Sequence, residues 1–140
     1  MHYHVFLSFR GPDSRKTFTD HLYAALVRKG IVTFRDDEEI EKGEAISKKL
    51  REAIRQSRYF IIVLSQEFAS SPWCLNELQE IVETKQEQKV FPVFYDVQPG
   101  DIGRQRGNVA QAFAKLKGKN SSGKKRRWHQ ALSKVAEFSG

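Results

Sequence analysis

Three strings in this 140-residue sequence gather side chains able to do chemistry. The first runs Ser8, Phe9, Arg10, Gly11, Pro12, Asp13, Ser14 and Arg15. Two arginines beside a helix start suit an anion, because guanidinium forks and the free N–H groups of a helix N-terminus both favour phosphate. Ordinary surface ion pairing would use the same residues. The second string, Arg35 to Glu39 followed by Ile40, Glu41, Lys42, Gly43 and Glu44, is rich in carboxylates. Consecutive acids rarely converge on one metal ion, so a solvated acidic loop is the simpler reading. Gly43 there suits a tight turn or a close backbone approach to a ligand. The third string, Ser70 to Leu78, carries Cys74 and Glu77.

Glu77 is open to two readings. Leu75, Leu78 and Val82 recur at helical spacing, which sets Glu77 off that apolar stripe and near the first helical turn. An acid there can act on a ligand, or it can merely complement the helix dipole. Cys74 lacks a nearby histidine pattern that would activate a nucleophile, and a buried structural thiol is expected. His2, His4, His21 and His129 show no zinc-site spacing, and a single cysteine cannot complete one. No metal and no disulfide are expected.

Short apolar stretches rich in β-branched and aromatic residues must position these groups. Tyr3–Phe9, Ile31–Phe34, Tyr59–Leu64 and Val90–Tyr95 read as strands, the last with Pro92 as a caution. Between them, Phe18, Leu22, Ala25 and Leu26, then Ile46, Leu50, Ala53 and Ile54, then Leu75, Leu78 and Val82 read as helices. Asp13 or Ser14 suits an N-cap of the first helix, and Gly30 its stop. Val109 to Leu116 suggests a short helix, and Trp128, Leu132 and Val135 an amphipathic one. Strand and helix alternate, which predicts an open doubly wound parallel sheet with right-handed crossovers. In such sheets ligands bind beyond the carboxyl ends of the strands, where all three strings fall.

Composition narrows the function classes. Hydrophobic residues at 39% and charged residues at 29% suit one globular domain of ordinary core size. The longest apolar run, Tyr59 to Leu64, is far below the roughly 20 residues of a membrane span, and no signal peptide is read. The cytosol is the expected compartment, with the nucleus left open. The formal charge of +7 is concentrated between Lys115 and Arg127, a window of seven bases and no acid interrupted by Gly118, Asn120, Ser121, Ser122 and Gly123. A solvated basic loop is expected there, with a nucleic-acid patch as the alternative. The first strand is followed by no G-x-G-x-x-G and no GKS or GKT, which argues against a dinucleotide-binding Rossmann domain and a P-loop NTPase. Arg10 and Ser65 stand where a phosphoacceptor receiver domain would want acids.

The strings YHVFLSFRGPDSR, TFTDHLYAALVRKGI, SPWCLNEL and VFPVFYDVQPGDI, in this order and spacing, closely resemble the TIR domains of plant disease-resistance receptors of the nucleotide-binding, leucine-rich-repeat type. The likeness runs from Tyr3 to Gly140 and implies a flavodoxin-like sheet in a single domain. It further implies NAD+ nucleosidase activity, releasing nicotinamide and ADP-ribose or its cyclic variants, so NAD+ is a substrate and no cofactor is expected. By the same resemblance Glu77 takes the place of the catalytic glutamate. Arg10, Gly11, Pro12, Asp13, Ser14 and Arg15 match the substrate-binding loop, Gly43 the loop gating the site, and Trp73 a ring able to stack on the substrate.

Such domains work when self-associated, as homodimers or higher oligomers. Asp20 and His21 occupy one such contact, with an aspartate where relatives carry serine; Arg104, the helix around Trp128, and Gly140 match the region of the other. Pro12 departs from the glutamate usual in relatives. The family continues with a fifth strand and a last helix that are not visible in this sequence, which would leave a sheet edge exposed. The competing functions are a non-catalytic assembly module and, on the Lys115 to Arg127 cluster, a nucleic-acid binder.

Overall fold

The computed structural model describes residues 2–9, 18–35, 48–65, 68, 72–95 and 122–138. In chain order these form β1 (Tyr3–Ser8), α1 (Asp20–Arg28), β2 (Thr33–Arg35), α2 (Lys48–Gln56), β3 (Ser57–Leu64), α3 (Pro72–Thr84), a 3-10 turn (Glu87–Lys89), β4 (Val90–Phe94) and α4 (Ser122–Ala136). Asp13, Ser14, Ile46 and the helix expected over 109–116 lie outside the described residues.

The strands pair in parallel in the order β2-β1-β3-β4. The step from β1 to β2 runs one way across the sheet, and the next two steps run the other way. Right-handed crossovers then force α1 onto one face and α2 and α3 onto the opposite face. Side-chain alternation agrees. Leu7, Phe9 and Val63 pack against Phe18, Leu22 and Tyr23 on the α1 side. Phe6, Phe60, Ile62 and Leu64 point the other way, into a core shared with Leu50 and Ile54 of α2, Leu75 and Leu78 of α3, and Trp128 and Leu132 of α4. Phe6 stacks on Phe34 at 5.2 Å between ring centroids. Each fully buried Leu, Ile or Phe in that core contributes about 1.5–3 kcal/mol relative to exposure.

Local chemistry sets the element ends. Gly30 adopts φ 78°, a left-handed conformation that costs a glycine little. It closes α1 as a Schellman motif, with the Ile31 N–H donating to the Leu26 carbonyl and the Gly30 N–H to that of Val27. Ile31 is thereby committed to the cap, and β2 begins at Thr33 rather than at Ile31. Pro92 sits opposite Ile62 in β4, the sheet edge among the described residues, where a missing N–H breaks no further ladder. The basic run differs from the expected loop: from Ser122 onward it is helical, and Arg127 is paired with Glu83 of α3 at 2.8 and 3.1 Å. Residues 115–121 lie outside the described residues.

Candidate functional site

The strand order reverses between β1 and β3, and a parallel sheet opens a crevice at the carboxyl end of such a reversal. Two polar side chains meet there. Ser8 closes β1, and its hydroxyl donates to Oε1 of Glu77 at 2.8 Å. Both are buried, Ser8 at 0% and Glu77 at 2% exposure. Glu77 is carried by α3, the crossover that leaves β3. One turn earlier on the same side of that helix, Cys74 lies within 3.5 Å of the Phe9 carbonyl. Two successive turns of α3 are thus seated on the end of β1.

The position of Glu77 corrects its expected setting. Helix α3 starts at Pro72, so Glu77 is its sixth residue, beyond the first turn where the dipole acts most strongly. Nor does it lie on an exposed flank. Cys74, Leu75, Asn76, Glu77 and Leu78 are all buried, because α3 is packed between the sheet and α4. A buried carboxylate is costly unless hydrogen-bonded, and the Ser8 hydroxyl answers part of that demand. The neighbouring Asn76 accepts a bond from the Trp128 indole N–H at 3.1 Å, which ties α4 to the same helical turn. Its own Nδ2 is buried and has no hydrogen-bond partner among the described residues.

The other expected site residues fall into two groups. Arg10, Gly11, Pro12, Asp13, Ser14, Arg15, Gly43, Arg104 and Gly140 lie outside the described residues. Trp73 is the second residue of α3, with its side chain outside them as well. Asp20 opens α1 and accepts from Arg35 at 3.0 Å, while the Arg35 guanidinium stands 4.4 Å from the Tyr23 ring centroid. His21 beside it is exposed. Trp128 itself is fully buried, its indole spent on α3 and the core, and on the helix around it Arg126, Arg127, His129 and Gln130 are exposed. Ser8 stands first in the string at the end of β1, with no role read for it from sequence; the signal for one is a hydroxyl that follows the apolar run Val5, Phe6 and Leu7 at the ligand edge.

Among the described residues no group of His, Cys, Asp and Glu is placed to hold a metal ion, and no helix is long and apolar enough to cross a membrane.

Comparison with known proteins places this geometry in a family. The TIR domain model matches residues 2–140. The chain is 49% identical over 143 residues to the disease resistance protein RUN1 of Vitis rotundifolia, covering 99% of this chain and 11% of that protein. It is 46% identical over 142 residues to the TMV resistance protein N of Nicotiana glutinosa, covering 99% of this chain and 12% of that one. The chain therefore spans only about a tenth of the length of these relatives. Among solved structures, the TIR domains of the activated Roq1 resistosome, which directly recognises the pathogen effector XopQ, superpose with a TM-score of 0.87 at 48% identity, covering 99% of this chain and 86% of that one. A metazoan TIR-STING receptor from C. gigas, at 19% identity and a TM-score of 0.55 over 94% of this chain and 40% of that one, shares the fold. With a parallel sheet ordered 2-1-3-4 and a family match over nearly its whole length, the chain belongs to the TIR domain family, in the branch found in plant disease-resistance proteins.

Proposed function

We propose that this domain cleaves the bond between nicotinamide and ribose in NAD+, with Glu77 as the catalytic carboxylate, as the signalling step of a plant immune receptor. The observation that carries the reading is the buried Ser8–Glu77 hydrogen bond at the switch point of the sheet. Nicotinamide leaves its ribose as a neutral pyridine and needs no proton. What requires stabilising is the positive charge that develops on the ribosyl carbon and ring oxygen. A fixed carboxylate supplies that stabilisation in a water-poor setting, where it acts more strongly than in bulk solvent. Water then adds to the ribosyl carbon and loses a proton, giving ADP-ribose; attack by a group of the same molecule instead gives a cyclic product. Ser8 acts as a positioning residue, holding Oε1 so that the carboxylate keeps one orientation.

Arg10 to Arg15 and Gly43 are assigned by resemblance to the substrate's phosphates and to the gate of the site, and Trp73 to ring stacking. Asp20, His21 and Arg104 are assigned to self-association, consistent with the resistosome in which the related Roq1 domains are found. That same likeness favours a second reading, in which the domain assembles without catalysis.

One assay separates the two. NAD+ loss is followed across a range of protein concentrations for wild type, Glu77→Gln and Ser8→Ala. Catalysis predicts turnover that rises faster than protein concentration, a fall of about a hundredfold or more for Glu77→Gln, and roughly tenfold for Ser8→Ala, whose hydroxyl serves a charged group. Equal turnover in wild type and Glu77→Gln would remove Glu77 from the chemistry. Self-association with no NAD+ loss at any concentration would favour assembly alone.

A further inference from the structure

A second polar cleft lies away from Glu77. We propose that the cleft between α2 and α3 at the amino edge of the sheet binds a small phosphorylated anion through Arg51, Arg55 and Lys85.

Crossover helices run antiparallel to their strands, so α2 and α3 end where β3 and β4 begin. Lys85 follows α3 directly, and its ammonium stands 5.4 Å from the ring centroid of Phe60, the residue opposite Val90 at the start of β4. Glu77 is eight residues back along the chain, about 12 Å at the helical rise. Arg51, Ile54, Arg55, Glu80, Thr84 and Lys85 line a half-open cleft of about 120 Å³ there, room for a tetrahedral oxyanion. Among the described residues the lining holds three cations against one acid and no aromatic ring, a composition that suits a phosphate group better than a base.

Structural duties leave most of this donor capacity unused. Cations near helix C-termini often serve only to satisfy the last carbonyls. Lys85 does donate to the Arg55 carbonyl, but at 3.5 Å, and that is one of its three protons. Arg51 is the fourth residue of α2, away from its carbonyl end, and has no ion-pair partner among the described residues. Arg55 meets Glu52 at 2.5 Å, a solvent-exposed pair that engages part of its five-donor fork. Burial first, and then the charges of Lys89 and Arg55, hold the Lys85 ammonium below the usual lysine range, and these outweigh the opposing pull of Glu80. A cluster in which repulsion among cations exceeds the attraction of its acid gains stability from an incoming anion. Two guanidinium forks and a point charge arranged around one cavity match the several oxygens of a phosphate better than the two of a carboxylate.

The test is an amide NMR titration of this chain with inorganic phosphate, chloride being withdrawn to hold ionic strength constant. Saturable shifts are expected at Arg51, Arg55, Thr84 and Lys85. Replacing Arg51→Gln and Lys85→Gln together should weaken binding at least about tenfold, a change of about 1.4 kcal/mol, and Glu80→Gln should tighten it several-fold. All three side chains are at least partly exposed, so the fold is expected to survive, and the Glu80→Gln gain tests the site without removing a donor. The inference stands apart from the NAD+ reading: Glu77→Gln should bind phosphate as wild type does. Shifts centred on Ser8 and Glu77, shifts spread equally to Arg28, Arg126 and Lys134, or unchanged affinity in the double variant would each overturn it.

Discussion

The two faces of the sheet are built from the same four strands but differ in depth. On one side Phe6, Phe60, Ile62 and Leu64 meet α2, α3 and α4, and the result is a closed core running out to Trp128 and Val135. On the other side α1 is the helix that packs on the strands among the described residues, over Leu7, Phe9 and Val63. Its own residues are at most partly buried, and Tyr59 and Phe91 on the same face are 40% and 48% exposed. The difference follows from strand order. One step of the chain goes towards β2 and two go towards β4, so right-handed connections stack more helices on one side. Stability is concentrated on the thick face, and that face also holds α3 with Glu77. The residue read as catalytic therefore sits on the best-packed helix, where its geometry is hardest to disturb.

The largest effect should come from breaking the thick face. Leu78 is fully buried between the sheet and α4, one residue beyond Glu77. Leu78→Ala removes buried methyl and methylene groups and leaves a cavity, at a cost of about 2–5 kcal/mol. Urea unfolding should show the midpoint falling with the slope unchanged. A loss under about 1 kcal/mol would mean that α3 is not held as tightly as its burial indicates.

Much of this contrast was readable from residue order. Apolar runs located four strands, and the spacing of Leu22 and Leu26, Leu50 and Ile54, and Leu75 and Leu78 located the helices between them. Gly30 marked the end of α1, for the reason that the structure shows. Glu77 illustrates what periodicity could not supply. An apolar stripe identifies one buried face of a helix, but α3 is covered on two sides, so Asn76 and Glu77, at 9% and 2% exposure, are buried along with Leu75. That depends on where α4 lies, and nothing local to α3 reports it. The start of α4 was hidden for a related reason. Gly123 and the run of bases look like a loop, whereas Trp128, Ala131, Leu132 and Val135 bury a face strong enough to hold the helix, and tertiary packing overrides weak propensity. The pairing of Ser8 with Glu77 joins residues far apart in the chain, and only the parallel register brings them together.

A smaller loss is expected on the thin face. Leu22 lies on α1 and packs against Leu7, Phe9 and Val63, but it is only half-buried. Leu22→Ala gives up part of the transfer energy and opens little enclosed volume, so about 1 kcal/mol is expected by the same urea measurement. A cost equal to that of Leu78→Ala would break the comparison, because it would show α1 to be as firmly docked as α3.

The smallest effect should be at Phe91. Its ring meets Tyr59 on the neighbouring strand at 6.1 Å between centroids, and aromatic pairs of this kind add about 0.5–1.5 kcal/mol. Against that, Phe91→Thr keeps a β-branched side chain suited to a strand and takes an apolar ring off an exposed surface. The two terms nearly cancel, and the expected change in thermal stability is within about 0.5 kcal/mol. The measurement bears directly on the asymmetry of the sheet. A cost of about 2 kcal/mol or more would place Phe91 in a packed environment in solution, and the thin face would then have to be covered by a surface beyond α1.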